Sequence, residues 1–501
     1  MSGRQVVVIG AGIGGLVAAL RLAAGGEDVL VLERAAGPGG KIRTVEVDGA
    51  AMDAGPTVFT MRWVFDELFD SVGTQLAEHL TLHPLNVLAR HTWPDGSRLD
   101  LHADPARSAD AIGEFAGAAA KQGFEAFCRR SSQIYRALEL PFLRGSRPNP
   151  VSLAMRMALD DASGLLRISP FSTLWNELCT HFADPRLRQL FGRYATYCGS
   201  SPFLAPATLM LIAHVEQCGV WRVEGGMHRI AEAVAALAAR HGARFRYGVH
   251  VEEILVRNGR AHGVKAAGGE VIDARAVVFN GDAAALASGR LGANARAAQP
   301  DGMPRPEERS LSALTWSLNA ATSGFPLLHH SVFFSGDSRA EFDDLVVQAR
   351  VPRNPTVYVC ALDRADEAAA PPEAAERMLC IVNAPARGDG RSMDPEELAR
   401  CEAQTFRHLD QCGLHLQRSP SNSLRTTPAD FARLFPATGG ALYGRASHGW
   451  QASFRRPGAR SAIKGLYLTG GSIHPGPGVP MAALSARQAA ASLFADLPRQ
   501  R

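Results

Sequence analysis

The chain has 501 residues, 46% of them hydrophobic and 20% charged, with 53 Lys and Arg against 49 Asp and Glu and a formal net charge of +4. That length exceeds one small core and predicts roughly two to four lobes, while the composition excludes a disordered chain. A charge so small and dispersed argues against a nucleic-acid partner and suits contact with an anionic membrane surface.

At the N-terminus, Arg4 and the apolar run after it imitate a signal peptide. Gly10, Gly12, Gly14 and Gly15 weaken the helix that such a segment needs. Gln5 to Ile9 instead predicts a buried strand, followed by GxGxxG at Gly10, Gly12 and Gly15 with Ala11 and Gly14 between them. Leu16, Ala19, Leu20 and Ala23 recur at helical spacing, Gly25-Gly26 ends the helix, and Asp28 to Leu32 predicts a second strand ending at Glu33. This is a complete βαβ unit for binding a dinucleotide. Gly10 permits the tight turn, Gly12 admits the pyrophosphate to backbone N–H groups, and Gly15 lets helix and strand pack closely. The helix N-terminus favours the phosphate charge. Glu33 is placed to accept from ribose hydroxyls and disfavours a 2′-phosphate, although Arg34 follows it.

Gly37 to Thr44 is a second glycine-rich turn, carrying Lys41 and Arg43, and Asp53 to Thr57 is a further return of the chain. Gly123 to Leu140 has helical spacing, Arg144 to Pro150 reads as a breaker, and Thr173 to Tyr197 predicts one or two helices around Asp184-Pro185. The apolar stretch Phe203 to Val215 contains Pro206 and falls short of the roughly 18 residues of a spanning helix. Gly225-Gly226-Met227 precedes an amphipathic helix with Ile230, Val234 and Leu237 on one face. Arg244 to Val251 and Arg260 to Lys265 predict short strands, with Asn258-Gly259 as a hairpin turn. Ala276 to Phe279 predicts a buried strand ending at Asn280-Gly281-Asp282, where the dinucleotide domain resumes. Strands are predicted near Leu311 to Leu318 and Thr356 to Leu362, and the alanine-rich patch Ala368 to Ala375 reads as helix or loop filler. Gly465 to Gly471 is a strand running into a glycine turn, followed by a helix over Ala482 to Phe494. The eight cysteines show no CxxC spacing and no spacing with histidine that suggests a metal, so they read as buried, reduced thiols.

Three separated blocks of the chain resemble the phytoene desaturase family of carotenoid desaturases. They are 10–44, 197–251 and 465–489, carrying Tyr197-Cys198-Gly199-Ser200-Ser201-Pro202-Phe203, Gly219-Val220-Trp221, Glu224-Gly225-Gly226-Met227, His474-Pro475-Gly476 and Gly478-Val479-Pro480. Within that family, Gly55 to Phe65, His83-Pro84-Leu85 and Trp93-Pro94-Asp95-Gly96 resemble the 1-hydroxycarotenoid 3,4-desaturase branch, also called methoxyneurosporene dehydrogenase. The resemblance implies an α/β fold: a Rossmann-like FAD-binding domain with an inserted mixed α+β substrate-binding domain and a helical membrane-associating region. The FAD domain is expected to be discontinuous over 1–60, 220–290 and 440–501, with 61–219 and 291–439 forming the substrate-binding and helical region.

By the same resemblance, Gly40, Lys41, Gly55, Pro56 and Thr57 belong near the flavin, as do Gly470, Gly471, Pro480 and Met481, and Val251 presents its backbone to the adenine. The second glycine turn matches the second flavin-binding signature of the superfamily. No cysteine follows Cys412, so FAD is expected to be non-covalent. The implied reaction removes two hydrogens from adjacent carbons of a lipophilic polyene, one of them as hydride to the flavin, and the electrons pass to an acceptor such as a quinone or oxygen. His474 is the candidate catalytic base, with a structural role anchoring the Gly-Pro turn as the alternative. Thr60, Arg62 and Trp63 are candidates for binding a substrate hydroxyl, with packing at a helix start as theirs. A substrate already dissolved in lipid implies a protein peripheral to the inner membrane on its cytoplasmic side. Two rival readings are an FAD amine or porphyrinogen oxidase on the same scaffold, and a non-enzymatic prenyl-binding protein of the GDP dissociation inhibitor type.

Overall fold

Val6 and Val8 face one way and Val7 the other, yet all three are fully buried, so the first strand is covered on both faces. Both-sided burial explains why the sequence there is an unbroken apolar run rather than an alternating one. The computed structural model, which describes residues 5–160, 171–299, 302–365, 375–390 and 393–496, places this strand in the middle of a five-stranded sheet. The order is Leu466–Leu468, Ala276–Phe279, Val6–Ile9, Val29–Glu33 and Arg244–Tyr247, and all neighbours are parallel. Segments from both ends and the middle of the chain thus share one sheet. Arg4 and 368–374 of the alanine-rich patch lie outside the described residues.

One face of the sheet packs on the helices Ile13–Ala24, His228–Arg240 and Val479–Asp496. The first and last of these pack closely because their facing residues are small: Ala18, Ala19, Ala483, Ala486 and Ala489 are all buried. The other face carries Val7, Leu30, Val277 and Leu466 against Ile254 and Val264 of a three-stranded antiparallel sheet, Val251–Arg257, Arg260–Ala266 and Val271–Asp273. The hairpin turn there has Asn258 and Gly259 at φ of 52° and 70°, as its Asn-Gly sequence predicts. The expected single run from Arg244 to Val251 is instead two strands in different sheets, broken at Gly248 with φ of 71°.

A second, seven-stranded sheet runs in the order Ser423–Thr426, Ser312–Ala320, Glu376–Ala384, Val357–Ala361, His330–Phe333, Val87–Thr92 and Arg98–His102. It recruits a hairpin from the first fifth of the chain, which joins in parallel beside His330–Phe333. Helices Ala118–Leu138, Leu174–His181 and Pro185–Gly192 form a separate core around Phe124, Phe127, Phe182 and Phe191. Asp184 caps the last of these through Arg186 N at 2.8 Å, accounting for the Asp-Pro signal as a helix start. Among the described residues no helix is long and apolar enough to cross a membrane. All eight cysteines are free, but only Cys360, Cys380 and Cys401 are buried, with Cys179 and Cys218 exposed and the rest half-buried, which corrects the expectation that all are buried.

Candidate active site

Three glycine turns meet backbone to backbone at the C-terminal edge of the parallel sheet. Gly39 N donates to the Ala11 carbonyl at 2.8 Å, joining the first turn to the second. A Cβ on Gly40 would lie 3.0 Å from Gly12 Cα, and one on Gly15 would lie 1.9 Å from the Gly10 carbonyl oxygen. A Cβ on Gly14 would meet Asn280 Oδ1 at 2.5 Å and Gly470 N at 2.9 Å, so the first turn also touches the C-terminal one. Asn280 sits at this junction and donates from Nδ2 to the Gly10 carbonyl at 3.2 Å. Gly10 and Gly470, at φ of 95° and 111°, occupy backbone conformations open chiefly to glycine.

These turns open onto a cavity of about 1430 Å³, larger than the roughly 300–1,000 Å³ usual for one small ligand. Of the residues singled out in the sequence, Gly10, Gly12, Gly14, Glu33, Arg34, Gly40 and Lys41 line it. So do Gly55, Pro56, Thr57, Thr60, Val251, Gly470, Gly471, Pro480 and Met481. Glu33 is buried and accepts from Ala11 N at 2.7 Å and Ala35 N at 2.8 Å. Each carboxylate oxygen retains acceptor capacity for a ligand hydroxyl. The Arg34 guanidinium instead donates to the carbonyls of Arg433 and Leu434, at the C-terminal end of the helix Pro428–Leu434, where a cation is favoured. Lys41 Nζ donates to the Leu442 carbonyl at 2.5 Å, and its burial pushes the ammonium below the ordinary lysine range.

Ala11, Gly15, Arg62, Trp63 and His474 do not line the cavity. Ala11 and Gly15 shape the turn from behind. Arg62 pairs with Asp66 at 3.2 Å on the surface of the helix Trp63–Asp70, and Trp63 lies under the Arg144 guanidinium at 3.7 Å. These contacts correspond to the alternative of packing at a helix start. His474 is fully buried, its Nε2 hydrogen-bonds the Gly145 carbonyl at 3.2 Å, and its ring meets Phe142 edge-on at 4.7 Å. Burial holds the imidazole down at about 4 and neutral. This geometry corresponds to the structural alternative for His474, tying the turn before Pro475 to the 139–145 segment.

Other groups at the site carried no sequence signal. Arg456 is buried and donates to the carbonyls of Tyr443 (3.0 Å), Gly471 (3.3 Å) and Arg445 (2.6 Å), pinning the C-terminal turn. Asp282 lines the cavity with one oxygen capping Ala284 N at 3.0 Å and the other, Oδ2, buried with no partner among the described residues. In the sequence, Asn280-Gly281-Asp282 marks the end of a buried strand where the dinucleotide domain resumes, with no ligand role assigned to Asp282. Tyr358 OH hydrogen-bonds Thr57 Oγ1 at 2.8 Å and His330 Nδ1 at 2.7 Å. His329, His330 and Cys360 also gather with ligand-capable atoms within 4.8 Å of one another, a grouping their sequence spacing did not announce.

The match to known proteins spans this whole architecture. Residues 13–493 match the family model described as flavin containing amine oxidoreductase. The chain is 56% identical to the hydroxyneurosporene desaturase of Rubrivivax gelatinosus, over 98% of this chain and 94% of that protein. The chain belongs to the carotenoid desaturases of the flavin-containing amine oxidoreductase family. Its identity is 46% to the hydroxyneurosporene desaturase of Cereibacter sphaeroides, covering 98% of both chains. It falls to 32% for the zeta-carotene-forming phytoene desaturase of Myxococcus xanthus, covering 97% of this chain and 93% of that one. Solved structures share the fold alone. An oxidoreductase from Methanosarcina mazei superposes with a TM-score of 0.61 at 17% identity, covering 96% and 99% of the two chains. Putrescine oxidase bound to putrescine gives a TM-score of 0.56 at 15% identity, covering 98% and 99%.

A flavin is the cofactor of this family, and the carotenoid desaturase site has features that fit one. The glycine junction leaves no room for side chains beside the cavity, Glu33 retains acceptor capacity, and Asp282 Oδ2 is a buried acceptor with no partner among the described residues. The Gly14→Ala variant should wedge the first turn off Asn280 and Gly470. The purified variant should then retain much less than one flavin per chain, read from visible absorbance after gel filtration. Full retention would show that the junction tolerates a methyl group.

For His474, the folded-state value of about 4 lies below the ordinary 6.5. The neutral ring is thus favoured by folding, and its contribution is complete above about pH 6.5 and lost as pH falls toward 4. The total is on the order of 3 kcal/mol. The melting temperature of the wild type should drop more steeply over that interval than that of His474→Gln. The pH profile of turnover should keep the same shape in both; loss of an ionisation from that profile would give His474 a chemical role.

Proposed function

We propose that this carotenoid desaturase introduces a C–C double bond into an acyclic, 1-hydroxylated carotenoid, using non-covalent FAD. The observation that carries this reading is a single cavity whose wall passes from the glycine junction to an apolar stretch of Leu138, Phe142, Leu153, Leu209, Ile212 and Val215. One space of this kind suits a dinucleotide at its polar end and a polyene along its apolar end. The 56% identity to a hydroxyneurosporene desaturase supports the hydroxylated substrate and sets aside the amine oxidase reading.

The bound flavin supplies the hydride acceptor. Gly10, Gly12, Gly14, Glu33, Val251 and Asp282 are the residues proposed to hold the adenosine and pyrophosphate side and the ribityl hydroxyls. Gly40, Lys41, Gly55, Pro56, Thr57, Gly470, Gly471, Pro480 and Met481 are proposed to surround the ring system. The positive charge that develops on the polyene is delocalised, so the chain's main work is to hold the scissile C–H bonds in place and exclude water. His474 is proposed to position the turn before Pro475 rather than to take a proton.

A substrate already in lipid gains little of the usual ~0.8 kcal/mol per CH₂ by entering an apolar cavity, since that figure refers to transfer from water. The enzyme must therefore reach the bilayer. Phe171 and Leu140 are 80% and 64% exposed, and Val151, Met155 and Trp450 are exposed around the lining residues Phe142, Leu153 and Phe454. Arg147 and Arg455 flank this apolar rim, a composition suited to an anionic lipid surface. We place the protein peripherally at the cytoplasmic side of the inner membrane, with a quinone or oxygen as electron acceptor.

Incubated with FAD and anionic vesicles carrying a 1-hydroxylated acyclic carotenoid, the wild type should shift the polyene spectrum to the red. No shift with flavin bound would refute the assigned reaction. The Leu140→Glu/Met155→Glu variant should float less with such vesicles and turn over vesicle-borne substrate several-fold more slowly, yet act normally on detergent-dispersed substrate. Unchanged flotation would place the membrane contact elsewhere.

A further inference from the structure

The apolar part of the cavity wall is interrupted by one charged group of side chains. Arg193, Tyr197 and Glu216 all line the cavity, next to Ile212 and Val215. Glu216 is buried and accepts from two phenols, Tyr194 OH on Oε2 at 2.7 Å and Tyr197 OH on Oε1. Arg193 Nη1 donates to the Tyr197 oxygen at 3.2 Å, while its Nε is buried with no partner among the described residues. A carboxylate and a guanidinium are costly to keep in an apolar wall unless their hydrogen-bonding capacity is used. Glu216 is satisfied by its two phenols. Arg193, with five N–H donors, is not.

Resting on the proposed function, we infer that Arg193 and Tyr197, held in place by Glu216, form the site that reads the terminal hydroxyl of the polyene. A hydroxyl can both accept and donate. It accepts from a terminal guanidinium N–H that the cavity-lining Arg193 does not use on Tyr197, and donates to the remaining lone pair of the Tyr197 oxygen, which Glu216 fixes in orientation. Burial raises Tyr197 above the ordinary phenol range, so the phenol keeps its proton for Glu216. The position also suits the chemistry. The hydroxyl carbon of such a substrate is two bonds from the nearer carbon to be desaturated, so its reader must stand close to the redox end of the cavity. Tyr197 is near enough to Tyr358 to oppose its ionisation, and Tyr358 is hydrogen-bonded to Thr57, directly after Gly55-Pro56. Of the three residues suggested by sequence for this task, Thr60 lines the cavity and Arg62 and Trp63 do not.

A hydrocarbon end desolvates the cavity-facing part of the Arg193 guanidinium without giving it a partner, so the site selects by penalising the analogue that lacks oxygen. The test compares kcat/KM for the 1-hydroxylated carotenoid with that for the same polyene bearing hydrogen in place of the hydroxyl. It is run on the flavin-loaded wild type, Arg193→Met and Tyr197→Phe. The wild type should prefer the hydroxylated substrate, and each variant should lose at least tenfold of that preference, equivalent to about 1.4 kcal/mol, while retaining flavin. Variants that hold flavin and keep the wild-type preference, or that lose both activities in equal proportion, overturn the assignment. If Arg193→Met does not fold, Tyr197→Phe alone decides, since it removes one oxygen from the same site. A wild type that converts neither substrate instead refutes the proposed function, and one that converts both equally refutes its hydroxylated-substrate part, before any variant is made.

Discussion

The close approach of three glycine turns around Asn280 is the constraint on which the site depends. The first turn follows the central strand, the second follows its neighbour, and the third arrives from residues near 470. They can approach this closely because Gly12, Gly14, Gly40 and Gly470 carry no side chain at the junction. Asn280 adds a hydrogen bond from Nδ2 to the Gly10 carbonyl. The parallel sheet supports this by bringing both chain termini and the middle of the chain into one edge-to-edge register. A strand buried on both faces cannot slip without exposing apolar residues, so the turns at its end are held in place by the core beneath them.

The same architecture separates two demands within one cavity. The end beneath the glycine junction is built from backbone and a few buried polar groups, suited to a cofactor with phosphates and hydroxyls. The helical layer adds the apolar stretch of Leu138, Phe142, Leu153, Leu209, Ile212 and Val215, suited to a polyene. Arg193, Tyr197 and Glu216 stand beside that stretch, and hydrogen-bonding requirements of this kind favour selection over adhesion. Arg456 and His474 reinforce the C-terminal turn from behind, one through three carbonyls and the other through the Gly145 carbonyl.

The parts legible in the sequence were those with local signals. The first strand, glycine turn, helix and Glu33 form one continuous unit, and the C-terminal strand and turn repeat its logic. Strands at 276–279, 312–320 and 357–361 fell near their expected places because apolar runs bounded by turn residues mark them. What stayed hidden was long-range. Nothing local tells that 87–92 joins a sheet made mostly from residues beyond 310, nor that Arg244–Tyr247 leaves its apparent partner for the edge of the parallel sheet. Arg193 and Tyr197 are one helical turn apart, but Glu216 reaches them only through tertiary packing. His474 was singled out because it sits in a glycine-proline turn beside the site. Sequence proximity to a turn does not fix what a ring touches, and this one packs edge-on against Phe142 without lining the cavity.

The central claim is that one cavity brings a flavin and a polyene into contact for hydride transfer. Anaerobic mixing of the flavin-loaded protein with vesicle-borne hydroxylated carotenoid tests it most directly, with the flavin and polyene bands followed together in a single turnover. The oxidised flavin band should bleach at the same rate as the polyene band moves to the red, one double bond per flavin. A polyene that desaturates while the flavin stays oxidised, or a flavin that stays oxidised beside bound, unchanged polyene, would contradict it.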